Sequence, residues 1–326
     1  MRVCKILSFS VLVLLITVLF AGAVTVPAAA QYDTQYQYNA AHTGDYSLVA
    51  GSTPPNNVQK WSFTTEDLVY SSPTVANGVV YVGSNDHNVY ALNATTGAKL
   101  WNYATGGHVL SSPAVANGVV YVGSNDHNVY ALNATTGAKL WNYTTLGLVE
   151  SSPAVSNGVV YVGSYDNNLY ALNATTGAKV WNYTTLGLVE SSPAVANGVV
   201  YVGSSDNNLY ALNASNGAKL WSFATEFTIY SSPAVANGVV YVGSSDNNLY
   251  ALNATTGAKV WSFTTGAGVE SSPAVVNGTV YVGSEDSNVY AIGNGAAATS
   301  QGIPGFEVTL ALIGLVFIAY ALRRKR

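Results

Sequence analysis

The sequence predicts an all-β protein, a six-bladed β-propeller of four-stranded antiparallel blades, on three observations. A unit of 40 residues recurs without a slip, with Ser-Ser-Pro beginning at Ser71, Ser111, Ser151, Ser191, Ser231 and Ser271. A Trp keeps the same period, at Trp61, Trp101, Trp141, Trp181, Trp221 and Trp261. Within each unit the apolar residues fall into short β-branched and aromatic runs divided by Asn, Asp and Gly, with no stretch of helix formers at 3.6 spacing. A period of this length marks a solenoid, propeller or array, and four short strands per unit select the propeller blade.

The first complete copy shows the elements in order. Ser71 to Ala76 reads as a short innermost strand, followed by Asn77-Gly78, the strongest two-residue hairpin signal. Val79-Val80-Tyr81-Val82-Gly83 is a buried second strand and Ser84 to Asn88 a polar turn. Val89-Tyr90-Ala91-Leu92 is the third strand. Asn93-Ala94-Thr95-Thr96-Gly97 is a turn with Gly where a left-handed residue is wanted, and Lys99 to Tyr103 is the fourth strand. Counting strands also predicts how the ring closes. The copy from Ser271 supplies three strands and ends at Ala291-Ile292-Gly293 without a Trp. The missing strand is Val58-Gln59-Lys60-Trp61-Ser62-Phe63, so the N-terminal strand is expected to complete the last blade and cover two exposed edges.

The segment Ala91-Leu92-Asn93-Ala94-Thr95-Thr96-Gly97-Ala98-Lys99-Leu100-Trp101 resembles the repeat of pyrroloquinoline-quinone (PQQ) propellers, whose pattern is Ala-x-Asp-x-x-Thr-Gly-x-x-x-Trp. The likeness returns at 131–141, 171–181 and 251–261, and at 211–221 with Asn216 in place of Thr, so it spans residues 58–292. It implies that all six Trp dock between neighbouring blades. Asn93, Asn133, Asn173, Asn213 and Asn253 replace the family's Asp; either side chain closes the turn. The family includes quinone-dependent dehydrogenases, mostly with more blades, and non-catalytic members such as an outer-membrane assembly lipoprotein. The enzyme reading fares poorly here. A quinone with several carboxylates wants Arg or a cation, and residues 31–303 contain no Arg; the paired cysteines of many such enzymes are also missing. No cofactor is expected.

Composition narrows the classes further. The 326 residues are 49% hydrophobic and 9% charged, against about 25% charged in an average soluble domain, which excludes disorder. Between residues 31 and 303 fifteen acids face six Lys, a net charge of −9, so no basic stripe exists for nucleic acid. The only cysteine is Cys4, which removes disulfides, zinc-thiolate sites and thiol nucleophiles from the body.

Both ends read as addresses. Residues 1–30 carry Arg2 and Lys5, an apolar run from Ile6 to Val24 and Ala28-Ala29-Ala30, the plan of a signal peptide; an uncleaved anchor is the rival. Residues 31–57 form an N-terminal extension and 293–303 a linker. The tail, 304–326, reads Pro304-Gly305-Phe306, an apolar stretch from Val308 to Leu322, then Arg323-Arg324-Lys325-Arg326. That apolar stretch is at the short end for a membrane helix, which needs about 17–25 residues, and the basic end would remain cytoplasmic. The tail also resembles the archaeal sorting signal in which an archaeosortase removes the helix and a lipid replaces it. A plain transmembrane anchor is the alternative. Either predicts a protein held at the outer face of the cell membrane.

Four groups of residues are candidates for chemistry. The second-to-third-strand turns hold Asp86, Asp126, Asp166, Asp206, Asp246 and Asp286; one carboxylate per turn is too few for calcium, which takes about six to eight oxygens, so each is expected to close its own turn. Residues entering the innermost strands ring the channel mouth: Tyr70, Leu110, Glu150, Glu190, Tyr230 and Glu270, of which the phenols and carboxylates form a candidate site for a cation or sugar. His87, His108 and His127 share that face, but His87 and His127 are one position in two identical copies, and no metal site is expected. Sequons for N-glycosylation occur at Asn93, Asn133, Asn142, Asn173, Asn182, Asn213, Asn253 and Asn277. The expectation is a non-catalytic surface scaffold binding envelope proteins or glycans, with a lectin as the alternative and a PQQ-type oxidoreductase third. Near-identical blades tolerate multivalent binding better than they support an asymmetric active site.

Overall fold

A computed structural model describes residues 58–276 and 278–293. The expected signal peptide, the 31–57 extension, all but Gly293 of the expected linker, the Pro304-Gly305-Phe306 tail and the Asn277 sequon lie outside the described residues.

The chain forms six consecutive antiparallel sheets. In the first, β1 (Thr74–Ala76), β2 (Val79–Gly83), β3 (Asn88–Asn93) and β4 (Lys99–Ala104) lie in that order. The pattern repeats as β5–β8 (114–144), β9–β12 (154–184), β13–β16 (194–224) and β17–β20 (234–264). A sixth sheet contains β21 (Ala274–Val276), β22 (Thr279–Gly283) and β23 (Val289–Gly293). Asn77 and Gly78 both take positive φ, 48° and 77°, the requirement of the hairpin turn the dipeptide signals. The innermost strands β1, β5, β9, β13, β17 and β21 contact one another in succession, so the blades fan from a common axis.

Each sheet is apolar on both faces, which explains the unbroken Val-Val-Tyr-Val run. One core cluster takes Tyr121, Val129, Ala131 and Trp141 from the second blade and Val155, Val160, Val162, Tyr170 and Leu172 from the third. Trp141 Nε1 donates to Ala174 O of the next blade at 3.0 Å, and the Tyr121 hydroxyl donates to the same carbonyl at 3.0 Å. The indole lies on the next blade's turn, where a Cβ at Gly177 would sit 2.7 Å from Trp141 Cδ2; Gly there supplies both the positive φ and the space. Trp61, Trp101, Trp181 and Trp221 make the same bond, to Ala94, Ala134, Ala214 and Ala254.

Two expectations differ from what is observed. The innermost strand begins at Thr74 rather than Ser71, because Ser-Ser-Pro works across blades and not within a ladder. Ser112 N donates to Ser152 Oγ at 2.9 Å, Ser111 Oγ to Ser151 O at 3.1 Å, and Gly123 N to Ser111 Oγ at 3.0 Å. The second difference is the closure. Among the described residues Val58–Phe63 forms no strand, and the sixth sheet has three. The segment nonetheless docks on the first blade as the Trp pattern implies, through Trp61 and through Phe63, whose ring is 5.2 Å from that of Tyr90. At the other end Val289 is 81% exposed and Ser271 Oγ donates to Gly283 O of its own blade.

Trp141→Ala is expected to cost roughly 3–5 kcal/mol, the range for truncating a buried indole, read as a lower urea midpoint. Closure has its own readout, since the sequence after Cys4 lacks cysteine. Val89 pairs with Tyr103 in the first blade, and Val289 and Phe63 hold the corresponding positions. Phe63→Cys with Val289→Cys is expected to form no bridge within one chain while the sixth blade stays three-stranded; a bridge within one chain would make Val58–Phe63 its fourth strand.

Candidate functional site

Topology divides the loops between two ends of the blades. The turns between β1 and β2 and between β3 and β4 lie at one end, where Ala94 N donates to Gly78 O at 2.9 Å. The β2–β3 turn and the loop to the following blade lie at the other, where Asn85 N donates to Leu68 O at 2.9 Å. All the candidate carboxylates and histidines are at this second end.

The Asp of each turn spends its oxygens internally. Asp126 Oδ1 accepts from Asn128 N at 3.0 Å and Asn128 Nδ2 at 3.1 Å, while Oδ2 accepts from Tyr130 Oη at 2.6 Å and Gly106 N at 2.7 Å. The last bond clamps the incoming interblade loop. In other blades the clamped donor is the amide of Glu66, Leu146, Leu186, Glu226 or Gly266. Sequence reading anticipated the turn but not this clamp or the tyrosine, although Asp and Tyr at i and i+4 recur in all six copies. Burial alone would raise the Asp126 carboxyl, but the bonds from Tyr130, Gly106 and Asn128 outweigh it and hold it below the usual range. Its partner phenol is pushed up by burial and by the carboxylate. Asp286, held first by the Tyr290 hydroxyl, is lowered to about 2.

At the channel mouth the structure brings three of the candidates into electrostatic contact. Tyr165 Oη donates to Glu150 Oε2 at 2.7 Å, and Asn125 Nδ2 donates to Glu150 Oε1 at 3.0 Å. Glu190 shares the Tyr165 phenol; its carboxyl is raised by burial and by the charges of Glu150 and Glu270, partly offset by that phenol. Glu270 accepts from Ser245 Oγ at 3.1 Å. Tyr70 is 65% exposed and Tyr230 36% exposed. Tyr165, the one aromatic at a position held by Asn, Ser or Glu in the other copies, went unmarked in the sequence, and that departure was the available signal.

The His87 and His108 rings pack edge to face at 4.9 Å, and His108 Nδ1 is 2.6 Å from Asn85 O. His127 repeats the left-handed conformation of His87, with φ of 71° and 73°. Among the described residues no three His, Cys, Asp or Glu side chains are grouped to hold a metal ion. The turn Asn of the sequons face inward on their own loop: Asn93 Oδ1 accepts from Thr95 N and Thr96 N at 2.9 Å each, as do Asn133, Asn173 and Asn253 with their turns. Asn213 Oδ1 accepts from Ser215 N. Asn142 and Asn182 are instead exposed on the outermost strands, β8 and β12.

Sheets of this order, the Trp-on-Gly docking and the Asn-Ala-Thr-Thr-Gly turn define a propeller built from PQQ-type blades. The family model described as outer membrane protein assembly factor BamB matches residues 45–149, 144–229 and 228–299, and the chain belongs to that family. Residues 303–325 match the PGF-CTERM motif, the archaeal signal of a cell-surface, membrane-anchored protein. Among solved structures, BamB from Moraxella catarrhalis is 22% identical with a TM-score of 0.63, covering 72% of this chain and 76% of that one. The computationally designed Ika8 protein is 18% identical, TM-score 0.63, covering 68% and 70%. Quinohemoprotein alcohol dehydrogenase ADHIIG from Pseudomonas putida HK5 is 18% identical, TM-score 0.60, covering 68% of this chain but 51% of its own. At these identities the likeness is one of fold. No curated protein sequence matches the chain.

The two kinds of carboxylate give opposite pH dependences. Glu190 is raised in the folded state, so it contributes stability that is lost as pH rises from the ordinary glutamate range. Glu190→Gln is expected to raise Tm at pH 7, the gain vanishing towards about pH 4. Asp126, lowered by folding, contributes stability above the ordinary aspartate range that is lost as pH falls. Asp126→Asn is expected to lower Tm at pH 7 and to approach wild type in acid.

Proposed function

We propose that this protein is a non-catalytic scaffold, held at the outer face of the cell membrane, that binds envelope proteins through the interblade loops at the mouth end. The observation that carries it is the pair Leu146 and Leu186, 87% and 91% exposed at the tips of loops whose backbone is clamped by Asp166 and Asp206. A loop whose backbone is already fixed spares binding the cost of ordering it, which is how preorganised interface anchors gain affinity. Leu68 and Phe227, 58% and 59% exposed, lie on the corresponding loops of other blades, two and one residues after the clamped amides of Glu66 and Glu226. The lack of Arg from residue 31 to 303, and turn carboxylates fully engaged in structure, support a role without catalysis. That the family model carries the description of an assembly factor agrees with it.

A second reading, a carbohydrate-binding propeller, is favoured by one feature: Tyr70 and Tyr230 are exposed at the same end of the blades as the Glu150, Glu190 and Glu270 cluster, and phenols and carboxylates suit sugar hydroxyls. The test is native mass spectrometry with an absorbance spectrum on protein purified from its own membranes. A bound envelope protein is expected, with association weakened by roughly tenfold or more in the Leu146→Ser, Leu186→Ser variant. Glycan bound in several equivalents would replace the scaffold with the lectin. A quinone in one-to-one ratio would overturn both.

A further inference from the structure

The charges of the blades are sorted by face. Among the described residues all thirteen carboxylates lie in the β2–β3 turns or interblade loops at the mouth end, from Glu66 to Asp286. All six lysines lie at the other end. Lys99 opens β4 immediately after the β3–β4 turn, and Lys139, Lys179, Lys219 and Lys259 repeat that position; Lys60, one residue out of that register, precedes Trp61, and all six are exposed. A strand of six residues, Lys99–Ala104, separates the two levels by about 17 Å, more than a Debye length at physiological salt. The net negative charge therefore conceals one purely cationic face.

The chain leaves the propeller from that face. β23 starts at the mouth-end turn and finishes at Gly293 on the lysine side. Ten residues then separate Gly293 from Pro304, a reach of at most about 35 Å, so the tail holds the domain close to the bilayer. Resting on the lysine face needs no turnover of the domain on this short tether. Resting on the mouth face would bring thirteen carboxylates against the headgroups.

We infer that the six-lysine face is a membrane-docking surface for anionic lipid headgroups, which seats the propeller with its acidic mouth and leucine-tipped loops pointing outward. The inference rests on the membrane-anchored reading of the tail and adds the orientation. An anionic surface attracts each lysine and repels each carboxylate, and the sorting makes both forces act in one direction. Lys is suited to such a diffuse attraction, which needs charge rather than the fixed fork of Arg.

The test uses the full chain in a Cys4→Ser background, with a fluorophore at Ala178→Cys, in an exposed lysine-face turn, or at Leu186→Cys on a mouth-end loop. The protein is mixed with phosphatidylcholine vesicles, with or without phosphatidylglycerol, carrying a headgroup nitroxide quencher. With phosphatidylglycerol at low salt, quenching at 178 is expected to exceed that at 186 by about fivefold or more, falling to parity near 1 M salt, where charges are screened within about 3 Å. Replacing the lysines at 99, 139, 179, 219 and 259 by Gln is expected to abolish the difference at low salt. Equal quenching at the two labels, or stronger quenching at 186, overturns the inference, the latter placing the leucine tips on the lipid. Flotation separates the tail from the face. Protein that floats only at low salt and is quenched at 178 supports the lysine face while refuting the anchor; protein that floats under neither condition refutes both.

Discussion

A blade of this protein is stable only between two others. Its β2 and β3 strands are apolar on both sides, so a sheet alone would expose two hydrophobic faces, and stacking is what hides them. Every other feature serves that contact. The Trp supplies area and one donor, the following Gly supplies a flat bed for the ring, and the buried serines nearest the axis supply hydrogen bonds where strands crowd too closely for larger side chains. Ser111, Ser151, Ser191 and Ser231 are wholly buried, and each hydroxyl donates to the next blade's carbonyl. Satisfying buried polar groups across the interface, rather than within a sheet, ties the spacing of blades to a repeated bond.

The same dependence explains the two ends of the array. Trp261 is half-buried where Trp101, Trp141, Trp181 and Trp221 are buried, and the sixth blade's β23 alternates exposed and half-buried residues where β3 is buried from Val89 to Leu92. Ser271, without a following blade to bond, satisfies itself on Gly283. Interior and terminal copies thus differ although their sequences scarcely do. The difference lies in what each blade is given to pack against.

Much of the fold was legible because repetition supplies its own controls. A strand such as Val159–Gly163 could be a buried helix fragment on periodicity alone, but six copies with Asn-Gly before and an Asp turn after leave only the hairpin reading. What was not legible is what acts across a distance in the chain. The Asp166 clamp on Leu146 spans twenty residues and the Ser112–Ser152 bond forty, and no local pattern announces either. Ser-Ser-Pro therefore passed for the start of a strand. At the mouth, Glu150 and Glu190 were identified by comparing copies. Tyr165, which joins them, sits on a different turn and was absorbed into the scaffold by the same comparison.

Repetition also constrains what the molecule can do. Because the copies are nearly identical, any property of one position is multiplied around the axis, and the strands carry that position to a fixed end. A Lys that merely solubilises one β4 becomes a ring of cations when copied, and an Asp that merely closes one turn becomes a ring of anions. Neither ring needed selection as a site; both follow from where the turn chemistry puts charge in a single blade. The positions that escape this copying are the interblade loops, where Gly106, Leu146, Leu186 and Glu226 occupy one clamped place with different side chains. The clamp takes only the backbone amide, so it tolerates any residue except proline. The rigid part of the blade thereby frees the part that varies, and specificity has somewhere to reside without disturbing the contact between blades.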